Sequence, residues 1–340
     1  MSENVKNYSK LCSKIGLAML LFYAFFTLST FAVALVSSLL EASVGKFASE
    51  VVYEIFAAIV YFFSFSVAAF ILRKITKDAI GARPIYTSFK IDKWIMLSIV
   101  AIIAVNFTVA YLNTVIITSL SPSLASNLAS TPSEMEGRPL GEVAVFFVLS
   151  IISTAVVPAV CEEYLFRGAV LTRLLPFGRT TAIIGSAFLF GFMHQNPLQL
   201  LYTTLMGVVI GYVYVKTKSI WVCILIHFAN NFISVLEEYL PILTKVEWID
   251  DVLDIAVMVV GAIALLLIVL KKDKEPSIEK NGSFGAINGI GLDVEEYELD
   301  LPQGQKVRRF FAPTVIIYSV ICIFTMAITL LSFFNLQLLS

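Results

Sequence analysis

Long apolar runs separated by short polar segments dominate the chain. An α-helix needs about 20 mostly apolar residues to cross the hydrocarbon core of a bilayer. Nine runs meet or approach this length: 16–40, 55–72, 94–120, 143–165, 181–195, 198–215, 220–236, 252–270 and 314–338. The pattern therefore predicts an all-α fold, a polytopic membrane helical bundle of eight to nine transmembrane helices.

Two of these runs carry further information. The shortest pair lies on either side of Gln195, Asn196 and Pro197, a tight turn signal, so residues 181–215 are expected to form a helical hairpin that need not cross the bilayer fully. The first run, Gly16 to Leu40, is longer than the apolar core of a signal peptide, which has about 7–15 residues. We expect it to be retained as a span.

Composition supports the membrane class. Hydrophobic residues make up 58% of the 340 residues and charged residues 14%, whereas soluble domains carry roughly a quarter charged residues. The net charge of −1 provides no basic field, so nucleic acid is not an expected partner and membrane lipid is. The cysteines lack metal-ligand or redox spacing and are expected to pack in apolar surroundings: Cys12, Cys161, Cys223 and Cys322.

Lysine and arginine alternate between the predicted loops, which sets an orientation. Basic residues cluster in the N-terminal segment, in 73–93, around 173–179, at 216–218 and in 271–310, whereas the intervening loops hold only Lys46, Arg138 and Lys245. This predicts a cytoplasmic N-terminus and, if the last run crosses, an external C-terminus. With no long targeting extension visible, a prokaryotic plasma membrane is the favoured location.

The same pass divides the chain into regions. Residues 271–310 contain Gly282, Gly285, Gly289 and Gly291 and an acidic patch between basic ends, which is typical of a flexible cytoplasmic linker. The predicted organisation is N-terminal transmembrane helices over 1–142, a catalytic core over 143–236, a transmembrane helix over 237–270, the linker over 271–310 and a C-terminal transmembrane helix over 311–340.

Candidate chemistry begins at the end of the 143–165 run, where three ionisable side chains occur within six residues. Charges in a bilayer are expensive and indicate a functional site. Glu163 and Arg167 are four residues apart and share a helix face, so they are expected to form a supporting ion pair. Glu162 is rotated by about 100° and has no such local partner, which leaves it available as a general base.

The two histidines of the chain, His194 and His227, lie in later apolar runs. Glu162 is 14 residues before Pro176, and His194 is 14 residues after Thr180. If 176–180 is the turn between antiparallel helices, both side chains lie about 20 Å from it and meet at one level. Phe190 shares a face with His194, and Asn231 shares a face with His227.

These three ordered motifs, E-E-x-x-x-R, F-x-x-x-H and H-x-x-x-N, resemble the CPBP family, the CAAX-protease-like or Abi-like family that includes the Ras-converting CAAX endopeptidases. The resemblance covers roughly 143–236. It implies an intramembrane endopeptidase that acts on a peptide or membrane-protein substrate, with Glu162 and His194 activating a water. His227 and Asn231 would stabilise the oxyanion, Glu163 and Arg167 would support the geometry, and Phe190 would line the substrate.

The metal question and two other functions stay open at this point. Glu162, His194 and His227 are candidate ligands of a divalent metal such as zinc, although the local H-E-x-x-H helix of zinc proteases is absent. Intramembrane Glu, His and Arg are also typical of ion-coupled transporters, but the 143–236 pattern shows no internal repeat of the kind many transporters have. The remaining alternative is a non-catalytic immunity or scaffold member of the same family.

Overall fold

The computed structural model describes residues 3–76, 93–120, 135–246, 248–270 and 301–338. All regular structure in these residues is helical, so the predicted all-α fold is confirmed. In chain order the helices are α1 (Glu3–Val44), α2 (Lys46–Ile75), α3 (Lys93–Leu120), α4 (Leu140–Phe177), α5 (Arg179–Met193), α6 (Pro197–Thr217), α7 (Ile220–Thr244), α8 (Ile249–Leu270), α9 (Gln303–Phe310) and α10 (Pro313–Leu338).

The lengths and apolar composition of these helices define a polytopic membrane bundle. Within the described ranges, six helices are long and apolar enough to cross a membrane: α1, α2, α4, α6, α7 and α10. Two shorter apolar helical segments accompany them, Met96–Leu112 within α3 and Arg179–Met193, which is α5. At 15 residues, α5 is shorter than a full span, whereas its partner α6 has 21 residues.

Helix α4 carries the predicted charged segment and departs from regular α-helix twice. π-Helical turns at Ile151–Val156 and Phe166–Leu171 flank the α-helical stretch Val157–Leu165. Pro158 at the start of that stretch has no N–H to donate, so a widened turn before it relieves the regular ladder. Wide turns of this kind occur frequently at functional sites, because they redirect the side chains that follow.

Close helix contacts hold the core around α4. A Cβ on Gly191 of α5 would overlap Thr204 of α6, and a Cβ on Gly207 of α6 would come within 3.2 Å of the Phe190 ring. The chain reverses between these helices at Gln195, which has a left-handed φ of 51°. The predicted hairpin over 181–215 is therefore present, and the predicted turn near 176–180 is centred on Gly178, with φ of 125°.

Several predicted boundaries need correction. The region 237–270, predicted as one transmembrane helix, contains the end of α7, which continues to Thr244, and α8, which begins at Ile249. The predicted linker is wrong for its last eight residues, which form α9. Phe310 of α9 is buried against Gly185, and the Tyr8 hydroxyl donates to the Lys306 carbonyl at 3.3 Å. Residues 271–300 of that linker lie outside the described residues.

The sequence pattern concealed α9 for a physical reason. The helix is only eight residues long and carries basic side chains in its last turn. It is therefore too short and too charged to be recognised as a membrane span. Its amphipathic character is expressed by Val307 and Phe310, three residues apart on one face. The charged loop predicted over 73–93 also lies mostly outside the described residues, since only Arg73, Lys74, Ile75, Thr76 and Lys93 are described.

Candidate active site

A group of ionisable side chains lies in the interior, where α4, α5 and α7 meet. We call Glu162, Glu163, Arg167, His194 and His227 the buried centre. Glu162 is 3% exposed, Glu163 0%, Arg167 1% and His227 3%, while His194 is half-buried. The structure therefore gathers the ionisable residues of all three sequence motifs. Charges this deep are tolerated only when each finds a compensating partner.

Glu163 and Arg167 form the ion pair that their spacing predicts. Arg167 Nη1 donates to Glu163 Oε1 at 2.8 Å, and Arg167 Nη2 donates to the Gly207 carbonyl at 3.2 Å. The guanidinium carbon lies 4.8 Å from the centroid of the Phe190 ring, a cation–π distance. Arg167 thus connects α4 to both helices of the α5–α6 hairpin.

His227 lies between the two glutamates. Its Nδ1 pairs with Glu163 Oε1 at 2.9 Å, and its Nε2 lies 3.8 Å from Glu162 Oε2. A carboxylate accepts but does not donate, so the hydrogen bond to Glu163 assigns the proton to Nδ1 and leaves Nε2 facing Glu162. Glu163 therefore orients the imidazole in the way that carboxylates commonly orient functional histidines.

Glu162 has a partner that sequence reasoning missed. The hydroxyl of Tyr61, on α2, donates to Glu162 Oε1. The Tyr61 ring stacks on Phe65 at 4.5 Å and meets Phe26 edge-on at 5.7 Å, so an aromatic cluster of α1 and α2 holds it. Among the described residues, Glu162 Oε2 has no hydrogen-bond partner and is buried. The sequence offered little signal, because Tyr61 is one of 13 tyrosines and lies inside an apolar run.

His194 reaches the centre from the end of α5. Its Nδ1 lies 2.9 Å from the Phe190 carbonyl, and its ring centroid lies 5.0 Å from that of Phe190. The Phe190 ring is also 5.8 Å from the His227 ring, so it packs between the two imidazoles. His194 is close enough to interact electrostatically with Glu162 and His227. The predicted common depth of Glu162 and His194 agrees with this placement.

Asn231 lies one turn beyond His227 at the edge of the centre. Its Nδ2 donates to the Thr154 carbonyl in the first π-helical turn of α4 at 3.0 Å, and its Oδ1 accepts from Asn230 Nδ2 at 3.2 Å. Asn230 is buried, and its Oδ1 accepts from Asn106 of α3 at 2.6 Å. The two neighbouring asparagines therefore connect α7 with both α3 and α4.

The metal-ligand candidates do not form a three-ligand set in this arrangement. No group of three or more His, Cys, Asp and Glu side chains has metal-binding geometry in the described ranges. Glu162 Oε2 lies 3.8 Å from His227 Nε2, and the hydrogen bonds of both histidines within the protein use Nδ1, which leaves Nε2 as the atom that would bind a metal. A catalytic zinc site needs three protein ligands, so the reaction proposed below uses no metal.

Fold and site together define the class: a polytopic helical membrane protein with a buried glutamate–histidine centre at the junction of its helices. The comparisons with known proteins agree. Residues 144–233 match the family described as "Type II CAAX prenyl endopeptidase Rce1-like". This segment is thus similar to the CAAX protease, or CPBP, family, and the resemblance drawn from the three motifs is confirmed.

One curated relative extends the likeness slightly. The chain is 30% identical over 102 residues to the Bacillus subtilis (strain 168) protein named "Putative membrane peptidase YdiL", a match that covers 29% of this chain and 41% of that protein. The chain thus spans about two fifths of the relative's length. No solved structure matches. The whole buried centre lies inside the family segment, whereas Tyr61 lies outside it.

Proposed function

We propose that the protein is a membrane-embedded endopeptidase that hydrolyses peptide bonds of membrane-associated or lipid-proximal substrates with a glutamate- and histidine-activated water. One observation carries the proposal. Of two adjacent buried glutamates, Glu163 is compensated by Arg167, whereas Glu162 keeps an unpaired oxygen directed toward His227. A buried carboxylate without a cation of its own is suited to accept a proton from water.

The proton and bond changes balance as follows. Glu162 takes a proton from water as the water oxygen attacks the carbonyl carbon of the scissile peptide. His194, which interacts electrostatically with Glu162, helps to position that water. The proton then passes toward His227 Nε2, 3.8 Å from Glu162 Oε2, and on to the leaving amine as the C–N bond breaks. The products are an amine and a carboxylic acid, which keeps the second proton of the water.

The negative oxygen of the tetrahedral intermediate needs hydrogen-bond donors. Asn231 has two amide N–H groups and gives one of them to Thr154, so the second can serve as a donor. His227 becomes a second donor once Nε2 is protonated, since Glu162 and Glu163 hold that imidazolium between two carboxylates. Phe190, packed against both imidazoles, is the wall against which the substrate lies.

Orientation and substrate complete the proposal. The alternating loop charges support a cytoplasmic N-terminus. The family that residues 144–233 match is described as a type II CAAX prenyl endopeptidase family. A prenylated C-terminal peptide is therefore the first substrate class to test. A peptide without the lipid and a transmembrane peptide are the natural comparisons.

The direct test is cleavage by the purified full chain in detergent, with products identified by mass spectrometry. We expect wild-type protein to cleave at least one of the three peptides and Glu162→Ala and His194→Ala each to lose about 100-fold or more in rate. If both variants retain activity, the assignment of Glu162 and His194 as catalytic residues is wrong. No cleavage by wild type, together with ion-coupled uptake in proteoliposomes, would favour a transporter.

A further inference from the structure

A second cationic feature lies at the basic end of the bundle, away from the buried centre. Arg173 near the end of α4 donates through Nε to the hydroxyl of Thr76, which lies three residues beyond Arg73 at the end of α2, so the two guanidinium groups are neighbours. Arg173 is 7% exposed, and Arg73 is half-buried. Among the described residues, no carboxylate lies within ion-pair distance of either guanidinium.

This lack of an acidic partner separates the pair from other arginines of the bundle. Arg167 is paired with Glu163, and Arg138 is paired with Glu50 and Glu142. A buried charge without a counter-charge is strongly unfavourable, and a like charge beside it adds to the cost. An anion from outside the protein would therefore stabilise a pair of guanidinium groups in this position.

The surrounding groups are arranged to donate rather than accept. Arg173 Nε donates to the Thr76 hydroxyl and Nη1 donates to the Ala169 carbonyl at 3.4 Å, which fixes the guanidinium group. Arg73 Nη1 donates to the Tyr164 hydroxyl oxygen at 3.0 Å, so the proton of that hydroxyl is available to a ligand. Guanidinium forks match the paired oxygens of a phosphate.

Position along α4 argues for a ligand at the membrane surface. Arg173 is 11 residues beyond Glu162, so the two side chains start about 16 Å apart along the helix axis. The same end of the bundle carries the basic helix α9, whose Lys306 carbonyl bonds Tyr8 of α1. Basic residues at the ends of membrane helices lie at the level of lipid headgroups.

We propose that Arg73, Arg173 and the Tyr164 hydroxyl form a phosphate-binding site, the two-arginine site, which takes the headgroup phosphate of an anionic lipid. Free inorganic phosphate offers the same chemistry from a second source. Neither ligand is needed for peptide hydrolysis as proposed above, so this site can exist whether or not the protein is a peptidase.

The test uses the purified full chain in a neutral detergent, with native mass spectrometry for bound lipid and the ligand-induced shift of Tm as a second readout. The probes are phosphatidylglycerol, phosphatidylcholine and inorganic phosphate. We expect phosphatidylglycerol to bind selectively and to raise Tm, and Arg73→Gln and Arg173→Gln each to weaken its binding about tenfold or more. Arg138→Gln is the matched control, because that guanidinium already has glutamate partners.

The outcomes separate the sources and the proposal itself. A stabilisation by inorganic phosphate that is lost in the same two variants supports the site and assigns it to the free ion. Equal phosphatidylglycerol binding by wild type and the variants overturns the proposal, as does the absence of binding by either anion. If Arg173→Gln does not fold, Arg73→Gln decides alone, since its half-buried side chain makes the milder change.

Discussion

Two clusters of this protein combine glutamates with an arginine, and they differ in how the charges balance. In the first, which we call the Arg138 cluster, Arg138 contacts Glu50 through two nitrogens at 2.6 and 2.9 Å and Glu142 at 3.6 Å. Lys46 adds a second cation 3.8 Å from Glu50. Two negative and two positive charges therefore cancel, and the acidic side chains are 28–30% exposed.

The buried centre has a different ratio of cationic to acidic side chains. Arg167 is a single cation for two glutamates, and of the two it bonds only Glu163. Both glutamates keep one oxygen without a hydrogen-bond partner in the described part of the chain, yet only Glu162 also has no guanidinium. A buried carboxylate without a cationic partner does not stabilise the fold, so a purely structural ion pair would not include one. This difference is the one expected if the Arg138 cluster stabilises helix packing and the buried centre performs the hydrolysis proposed above.

The largest difference should be seen in activity. Glu162→Gln keeps the size of the side chain and an oxygen for the Tyr61 hydroxyl, but it removes the base. We expect peptide cleavage to fall by about 10²–10⁴, the usual contribution of general acid–base catalysis. Glu50→Gln should change the rate less than about twofold, because Glu142 still compensates Arg138. Comparable losses in the two variants would remove the distinction between the clusters.

Stability should separate the two arginines. Arg167→Met leaves Glu163 buried beside Glu162 without a guanidinium, and breaking a buried pair in this way costs about 3–5 kcal/mol. Arg138→Met breaks a partly exposed pair and should cost about 1 kcal/mol or less. Unfolding of each full-length variant by SDS in mixed micelles measures both values. Equal losses would show that burial does not set the energetic difference.

The sequence predicted much of this arrangement because the signals were local. Glu163 and Arg167 are four residues apart on one helix, so helical geometry alone pairs them. Glu162 and His194 lie at equal distances from the turn at Gly178, so chain length alone places them at one depth. Apolar run length likewise predicted the helical membrane fold.

Long-range relations were beyond the same reasoning. The position of His227 between two glutamates depends on how α7 rotates against α4, and no spacing within either helix encodes that rotation. Tyr61 meets Glu162 across 101 residues of sequence. Helix α9 was missed because a segment of eight residues that contains basic side chains resembles a loop in the sequence. Only the structure shows that its Phe310 packs on Gly185.

The contribution of Tyr61 sharpens the comparison at a smaller scale. Tyr61→Phe removes only the hydroxyl that bonds Glu162. A hydrogen bond to a charged group is worth about 1.5–3 kcal/mol, so we expect kcat to fall about tenfold or more while KM stays nearly constant. Tyr239→Phe is the matched control, since it removes a hydroxyl bonded to Ser150 at 2.8 Å.

Three measurements interpret that pair of variants: kcat, KM and the free energy of unfolding. A purely structural role for the Tyr61 hydroxyl would lower stability and leave kcat per folded molecule unchanged. A positioning role lowers kcat even when the folded fraction matches that of Tyr239→Phe. Because Tyr61 lies outside residues 144–233, a positive result would also show that the family segment alone does not complete the site.

The smallest expected effect concerns metal removal. Exhaustive treatment with EDTA and 1,10-phenanthroline should change turnover less than about twofold, because no three of the described His, Cys, Asp and Glu side chains have metal-binding geometry. A zinc protease assayed in the same detergent provides the control for chelation. A loss of turnover that Zn²⁺ restores would contradict this arrangement. It would mean that His194 joins Glu162 and His227 as a third ligand during catalysis, and that Glu162 acts through a metal-bound water rather than as a base without a metal.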